Sequence, residues 1–241
     1  MIILALDSTS TTASVALCED ERLICLYTAS AGNTHSETLL PMIESALRTS
    51  ELELCDVDML AVSEGPGSFT GVRIGAATAK GLAFGTNKPC VGVSTLWALA
   101  YNLMGLGCNA IICPVMNARR SQVYNAIFRL EDGRLTRLCN DRVLTIAELE
   151  SELLGEYSQD KIYLVGDVYD VTLDGFERVT VEVTAEPMRY HNAYSVAQCA
   201  HEKYLSSDGS ADTFTDSALA PTYLRPSQAE RERLEREGKA K

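Results

Sequence analysis

The amino-acid sequence predicts an α/β protein of two lobes, each a mixed β-sheet with helices packed on it. Three observations lead there: a first strand that stops at a polar turn, three strands followed by alternating helices and strands, and a second half that begins the same way. Residues 2–6 (IILAL) form a continuous apolar run halted by Asp7, as a strand covered on both faces would. The polar string 8–12 turns the chain, and residues 13–17 and 22–28 read as two more strands joined by the hairpin turn Glu19-Asp20-Glu21. A helix over 34–48 places Leu39, Leu40, Ile43 and Leu47 on one face. A strand at 57–62, a helix at 68–84, a strand at 89–93 and a helix at 95–103 complete the order βββαβαβα, which makes a mixed sheet with helices on its faces.

The second half repeats the opening. Residues 110–116 are an apolar run ending at Asn117, and 118–121 turn the chain into a strand at 122–129. A third strand, 134–143, follows the hairpin signal Asp132-Gly133. A helix at 145–154 opens with the capping box Thr145 and Glu148. Strands at 161–165 and near 179–183 and a helix at 192–204 close the lobe. Two halves with one element order are what a two-lobed actin/hexokinase-like (ASKHA) fold of duplicated βββαβαβα lobes requires. The expected division is 1–105 for the N-terminal lobe, which also binds partners, 106–225 for the C-terminal lobe, and 226–241 for a charged tail.

Composition narrows the function. The 241 residues carry a formal net charge of −12, so counterion release cannot drive a strong contact with nucleic acid. Aromatic residues make up 7% of the chain, with one tryptophan, too few for stacking platforms along single-stranded RNA. The tail mixes six basic with four acidic residues from Leu224 onward and reads as a solvated appendage, not a nucleic-acid arm. Eight cysteines stand singly, with no C-x-x-C pair, as reduced cytosolic thiols used as small hydrophobes would. No secretory leader is read at the start, and the longest apolar stretch, 71–85, contains Arg73 and Lys80, which excludes a membrane span.

Candidate chemistry lies in two places. Asp7, Ser8, Thr9 and Ser10 have the composition of a turn that cradles a phosphate, with the Asp holding a metal. The same composition also suits an ordinary turn whose side chains satisfy nearby backbone groups. The matching turn of the second lobe has Asn117 in place of an acid. Gly65-Pro66-Gly67-Ser68 turns into a helix with Ser68 as N-cap, without the Lys-Ser/Thr end of a P-loop. In that helix Gly71, Gly75, Ala79 and Ala83 recur every four residues. A helical Gly costs about 1 kcal/mol relative to Ala, and a ridge of small residues lets another helix approach closely, either the chain's own 34–48 helix or a partner's. His35, His191 and His201 are too dispersed for a metal site, and there is no G-x-S-x-G or H-E-x-x-H motif.

The segments ILALDSTS with SVAL, NTHSETLLP, EGPGSFTGVRIG with AKGLAF, VGVSTL, NARRSQVY and PTYLR, in that order, closely resemble the TsaB (YeaZ) family. The match is dense over residues 1–130 and thin beyond. The resemblance implies an actin/hexokinase-like fold and a non-catalytic subunit that dimerises with a catalytic paralogue, TsaD. With the ATPase subunit TsaE, that assembly transfers threonylcarbamoyl to N6 of adenosine 37 in tRNAs reading ANN codons, so tRNA is met through the complex. It further implies a cytoplasmic location, no membrane partner, no cofactor or metal of its own, and ATP or ADP at most at the subunit interface. The paralogue's metal-binding His pair corresponds here to Thr95 and Leu99, and neither pair member can hold such an ion. The family's four-helix interface maps to Leu39, Leu40, Ile43, Leu47, Gly71, Val72, Gly75, Ala79 and Ala83. Asn117 departs from the family's Asp. Two alternatives stay open: an ASKHA-fold enzyme in its own right, either a small-molecule kinase or a glycoprotease-like metallopeptidase, and a self-associating regulator that forms a homodimer.

Overall fold

The apolar run at the start of the chain forms β1 (Ile2–Asp7), the middle strand of a five-stranded sheet. This computed structural model describes residues 1–30, 34–207 and 213–225; the tail expected at 226–241 lies outside them. β2 (Ala13–Glu19) runs antiparallel to β1, and β3 (Arg22–Ala29) runs antiparallel beyond it at the edge. On the other side β4 (Met59–Gly65) lies parallel to β1, with Ile3 beside Met59, and β5 (Cys90–Ser94) lies parallel beyond it. Parallel neighbours need a crossover, and α1 (His35–Thr49) and α2 (Phe69–Ala83) supply it before α3 (Thr95–Tyr101) leaves the sheet. The element order of this lobe is the predicted one, with limits moved by at most three residues.

Alternate residues of β1 face opposite layers. Leu4 and Leu6 join Leu60, Val62, Leu39, Ile43, Ala46 and Ala79 beneath α1 and α2. Ile3 and Ala5 join Met59, Val91 and Val93 on the other face, which is covered by α6 (Ala193–Ser206) through Ala193, Val196, Ala197 and Ala200. This differs from the expectation that the 192–204 helix completes the second lobe. The reason is the strand itself: β1 is apolar on both faces, α1 and α2 cover one, and the small-residue stripe of α6 supplies the second layer. Each large side chain buried there contributes about 2 kcal/mol.

The second sheet is built on β6 (Ala110–Asn117). The strand expected at 122–129 is two, β7 (Gln122–Asn125) and β8 (Phe128–Glu131), and the one expected at 134–143 is β9 (Arg134–Arg137) and β10 (Arg142–Thr145). The break lies opposite Pro114, which has no N–H to give a neighbouring strand. The buried Asn125 fills the gap by donating its side-chain amide to the Pro114 and Ala126 carbonyls, at 3.0 and 2.9 Å. β7 pairs with β10 and β8 with β9, so the outer strands inherit the break. The expected capping box opens α4 (Ile146–Glu156), and β11 (Ile162–Val165) runs parallel to β6. The strand expected near 179–183 is a single bridge from Tyr163 to Glu182, and α5 (Tyr169–Asp174) had no clear periodic signal.

Glu150 of α4 is buried, and its Oε1 accepts the backbone N–H groups of Glu177, Arg178 and Val179 at 2.7, 2.6 and 3.1 Å. The Arg178 N–H leads the interactions that hold this carboxyl below its usual range, against the opposing effect of desolvation. Glu150→Gln replaces a charge-assisted acceptor with a neutral one. Faster hydrogen exchange at the amides of 177–179, with the first-lobe sheet unaffected, is the expected result.

Candidate functional site

β1 carries Asp7 to the junction of the lobes and buries it: Asp7 is 1% exposed. Its Oδ1 accepts Thr9 N–H at 2.9 Å and Thr9 Oγ1–H at 2.8 Å. Its Oδ2 accepts Ser63 Oγ–H at 2.6 Å and faces His191 Nδ1 at 3.4 Å. The hydroxyls of Ser8 and Ser10 are also engaged, whereas the buried Thr12 Oγ1 has no partner among the described residues. Ser8 Oγ–H donates to the Gly71 carbonyl at 2.9 Å, and Ser10 Oγ accepts from Thr12 N–H at 3.5 Å. The Thr9 carbonyl accepts Ser68 N–H at 2.6 Å, and His35 donates from Nε2 to the Ser10 carbonyl at 2.6 Å. These contacts are those of a turn whose side chains satisfy neighbouring backbone, and Thr9, Ser10 and Thr11 also line the cleft between the lobes.

His191, 184 positions from Asp7 in sequence, is the member of this cluster that spacing did not reveal; like His35 it meets the turn, but it alone reaches the carboxylate. Asn102 donates to the carbonyls of Met188 and Tyr190 at 3.0 and 2.8 Å, and Ser14 Oγ accepts Ala193 N–H at 3.0 Å, which fixes the segment carrying it. A carboxylate only accepts hydrogen bonds, and Thr9 Oγ1 has already given its proton to Asp7. His191 Nδ1, 3.1 Å from Thr9 Oγ1, is therefore the donor to both. Burial pushes the Asp7 carboxyl up, but the charge and hydrogen bond of His191, with Ser63 and Thr9, outweigh it and hold the carboxyl below its ordinary value. Burial pushes His191 down, and the Asp7 carboxylate more than reverses this, leaving His191 raised. A hydroxyl, an imidazole and a carboxylate meet here, as in a hydrolase triad. Yet Thr9 and Asp7 share one ring nitrogen, so no relay can run from hydroxyl through ring to acid.

The Gly65–Gly75 segment forms the first-lobe wall of the cleft between the lobes. Gly65 has φ +117, and a Cβ there would collide with the Thr222 carbonyl. Thr222 N–H donates to the Glu64 carbonyl at 2.6 Å, and Tyr223 stacks on Phe69 with ring centroids 4.8 Å apart. Arg73 lies over Phe69 at 3.7 Å and donates to Tyr223 at 2.8 Å. Arg225 continues across to the second lobe, donating to the Ala118 carbonyl at 2.5 Å and to the Gln122 side chain. Two motifs 150 residues apart thus close a cleft of about 560 Å³, lined by Ser10, Gly67, Thr70, Asn117, Arg119 and Asp167 among others. Asn117 accepts Arg119 N–H at 2.7 Å. Arg119, Arg120 and Ser121 sit in left-handed backbone at φ 62, 56 and 58, a strained turn for non-Gly residues.

The expected interface residues divide between interior and surface. Gly71, Val72, Gly75, Ala79 and Ala83 are buried, as are Leu39 and Ile43. The small-residue ridge lies inward, where Ala79 and Ala83 share a buried cluster with Leu39, Ile43 and Ala46 of α1. Its two glycines meet the turn after β1 and the neighbouring strand: a Cβ at Gly71 would overlap the Ser8 carbonyl, and one at Gly75 would lie 2.8 Å from Ser8 Oγ and 3.2 Å from Val62 Cγ2 of β4. Leu47 is half-buried and Leu40 is 49% exposed. Ser68 caps α2 as expected, accepting Gly71 N–H at 3.3 Å. Thr95 and Leu99 of α3 are buried, and Ser94, which caps α3, donates to Asp141 at 2.6 Å. Among the described residues no helix is long and apolar enough to cross a membrane, and the eight cysteines are unpaired.

Residues 29–233 match the family model described as TsaD: tRNA N6-adenosine threonylcarbamoyltransferase. The chain is 34% identical over 167 residues to the tRNA threonylcarbamoyladenosine biosynthesis protein TsaB of Bacillus subtilis, an alignment covering 69% of this chain and 72% of that protein. The chain belongs to the TsaB (YeaZ) family. The solved structure of YeaZ from Pseudomonas aeruginosa superposes on this TsaB-family chain with a TM-score of 0.78 at 25% identity, covering 92% of this chain and 99% of that one. An inorganic polyphosphate/ATP-glucomannokinase from Arthrobacter, with a TM-score of 0.51 at 10% identity over 85% of this chain and 99% of that one, shares the fold alone. The fold is the two-lobed ASKHA type.

Proposed function

We propose that this TsaB-family chain is a non-catalytic subunit in threonylcarbamoyladenosine synthesis on tRNA, acting by heterodimerising with the catalytic paralogue TsaD. The observation that carries this reading is the outward face of α1 and α2. Gly71 and Gly75 repay their cost in the helix by close approach to the turn after β1 and to β4, but Gly81, also inside α2, has no atom within 4 Å of where a Cβ would stand. Ala77 lies one turn before it on the same exposed face, and Phe84, just past the helix, is 79% exposed. On α1, Leu40 is 49% exposed and Leu47 half-buried, and a second helix pair covering both helices would bury these apolar positions. Burial of Thr95 and Leu99, and of the Asp7 turn, supports contact over catalysis. The same reading places the complex in the cytoplasm with TsaE as its ATPase, with any ATP or ADP held between subunits and tRNA met only by the assembly.

Gly81→Arg tests this face. It replaces a poor helix former on an open surface, so the isolated chain should melt no lower than wild type. Association with the paralogue, measured by gel filtration with light scattering, should weaken at least about 30-fold, the effect of losing a central contact of about 2 kcal/mol. Unchanged association would remove α2 from the interface. The same experiment without the paralogue reports whether this face pairs with its own copy.

A further inference from the structure

Folds of this two-lobed type place a phosphate and its divalent cation at the turn after the first strand, and Asp7 is the residue type that would hold the cation. The donor set present here does not fit one. A carboxylate offers about four lone-pair positions, and at Asp7 each is met by a protein donor: Thr9 N–H and Thr9 Oγ1–H on Oδ1, Ser63 Oγ–H and His191 Nδ1–H on Oδ2. Both Asp7 and His191 are 1% exposed. The facing turn offers Asn117, a neutral amide whose oxygen already accepts Arg119 N–H. Magnesium keeps near-octahedral oxygen geometry and sheds water reluctantly, so a buried carboxylate with its acceptors filled is a poor ligand for it.

We propose that His191 takes the place of the divalent cation at this turn: its Nδ1–H, with Thr9 and Ser63, closes the Asp7 carboxylate to metal. The device also ties the lobe's ends together. It joins the end of β1 to the segment that launches α6, the helix covering the far face of the first sheet. In this role His191 is a positioning residue, because it acts through Asp7 and the turn and touches no ligand. The pairing is a property of the isolated chain and holds whether or not the chain has a partner.

Two measurements on the full chain test it. In wild-type protein followed by NMR, His191 should show a protonated Nδ1, and millimolar Mn²⁺ should leave its ring signals unbroadened. Selective broadening of the His191 ring by Mn²⁺ would overturn the proposal, since it would place the ion at Asp7. Melting temperatures of Asp7→Asn, His191→Gln and the double variant form the second arm. Each single change is expected to lower the melting temperature by about 10 °C, and the double change by no more than the worse single one, because the partners act as a unit. Additive losses would show that the two side chains do not depend on each other and would equally overturn it. If the variants fail to fold, the wild-type Mn²⁺ measurement decides alone.

Discussion

A Gly71→Ala substitution is expected to destabilise the isolated chain by about 3 kcal/mol or to prevent its folding, although it adds a single methyl group and improves helix propensity. The new Cβ would overlap the Ser8 carbonyl oxygen, a backbone atom of the turn after β1. That turn cannot retreat easily. Ser8 Oγ–H is bonded back to the Gly71 carbonyl, and the Thr9 carbonyl to Ser68 N–H, so α2 and the turn are fastened at the point where they would be forced apart. Gly81→Ala, ten residues along the same helix, is the control: with open space around it, it should gain about 1 kcal/mol. Urea unfolding of the two variants checks both signs. Equal stability of Gly71→Ala and wild type would mean that α2 does not lie on the sheet as described. Gly75→Leu and Ala79→Leu, at positions that the sequence offers as partner contacts, are expected to disturb the fold for the same reason and so cannot report on association.

His191→Ala is expected to cost about 3–5 kcal/mol near neutral pH, the usual penalty for leaving one member of a buried pair uncompensated. The pair also shapes the pH dependence of stability. Asp7 is held below its ordinary value in the fold, so its contribution is present above the unfolded carboxyl pKa of about 3.9 and is lost as pH falls through the lower folded value. His191 is raised, so its contribution is complete below the unfolded imidazole pKa of about 6.5 and is lost as pH rises through the higher folded value. Asp167, the other charge acting on His191, works in the same direction. The pair therefore contributes most between about pH 4 and 6.5. Wild-type stability should decline on the alkaline side of that window, and the decline should flatten in His191→Ala. A variant whose pH profile parallels wild type would contradict the pairing.

Much of the first lobe was legible because its signals are local. Periodicity set the strands and helices, Asp7 and Ser68 marked boundaries, and Glu19-Asp20-Glu21 marked a hairpin. The second lobe was less legible because the break at Asn125 depends on Pro114, a neighbour across the sheet and not along the chain. Direction was the main loss at the candidate site. A ridge repeating every four residues says that something approaches closely, but the pattern is the same whatever approaches, and only the position of Ser8 and Val62 shows what the glycines meet. His191 was invisible for a related reason, since nothing in the spacing of a lone histidine 184 residues from an aspartate signals contact. Gly81 could have been separated from Gly71 and Gly75 by its angle on the helical wheel, and it is the one that faces outward.

On the proposed reading this chain contributes contact to threonylcarbamoyl transfer and not chemistry. Transfer to tRNA, reconstituted with the catalytic paralogue and its ATPase while wild-type or Gly81→Arg chain is titrated in, tests it most directly. The prediction is no transfer by this chain alone, a large loss with Gly81→Arg at low concentration, and recovery toward the wild-type rate as the variant is raised to saturation. A deficit that persists at saturating Gly81→Arg, or transfer by the chain without its paralogue, would contradict it.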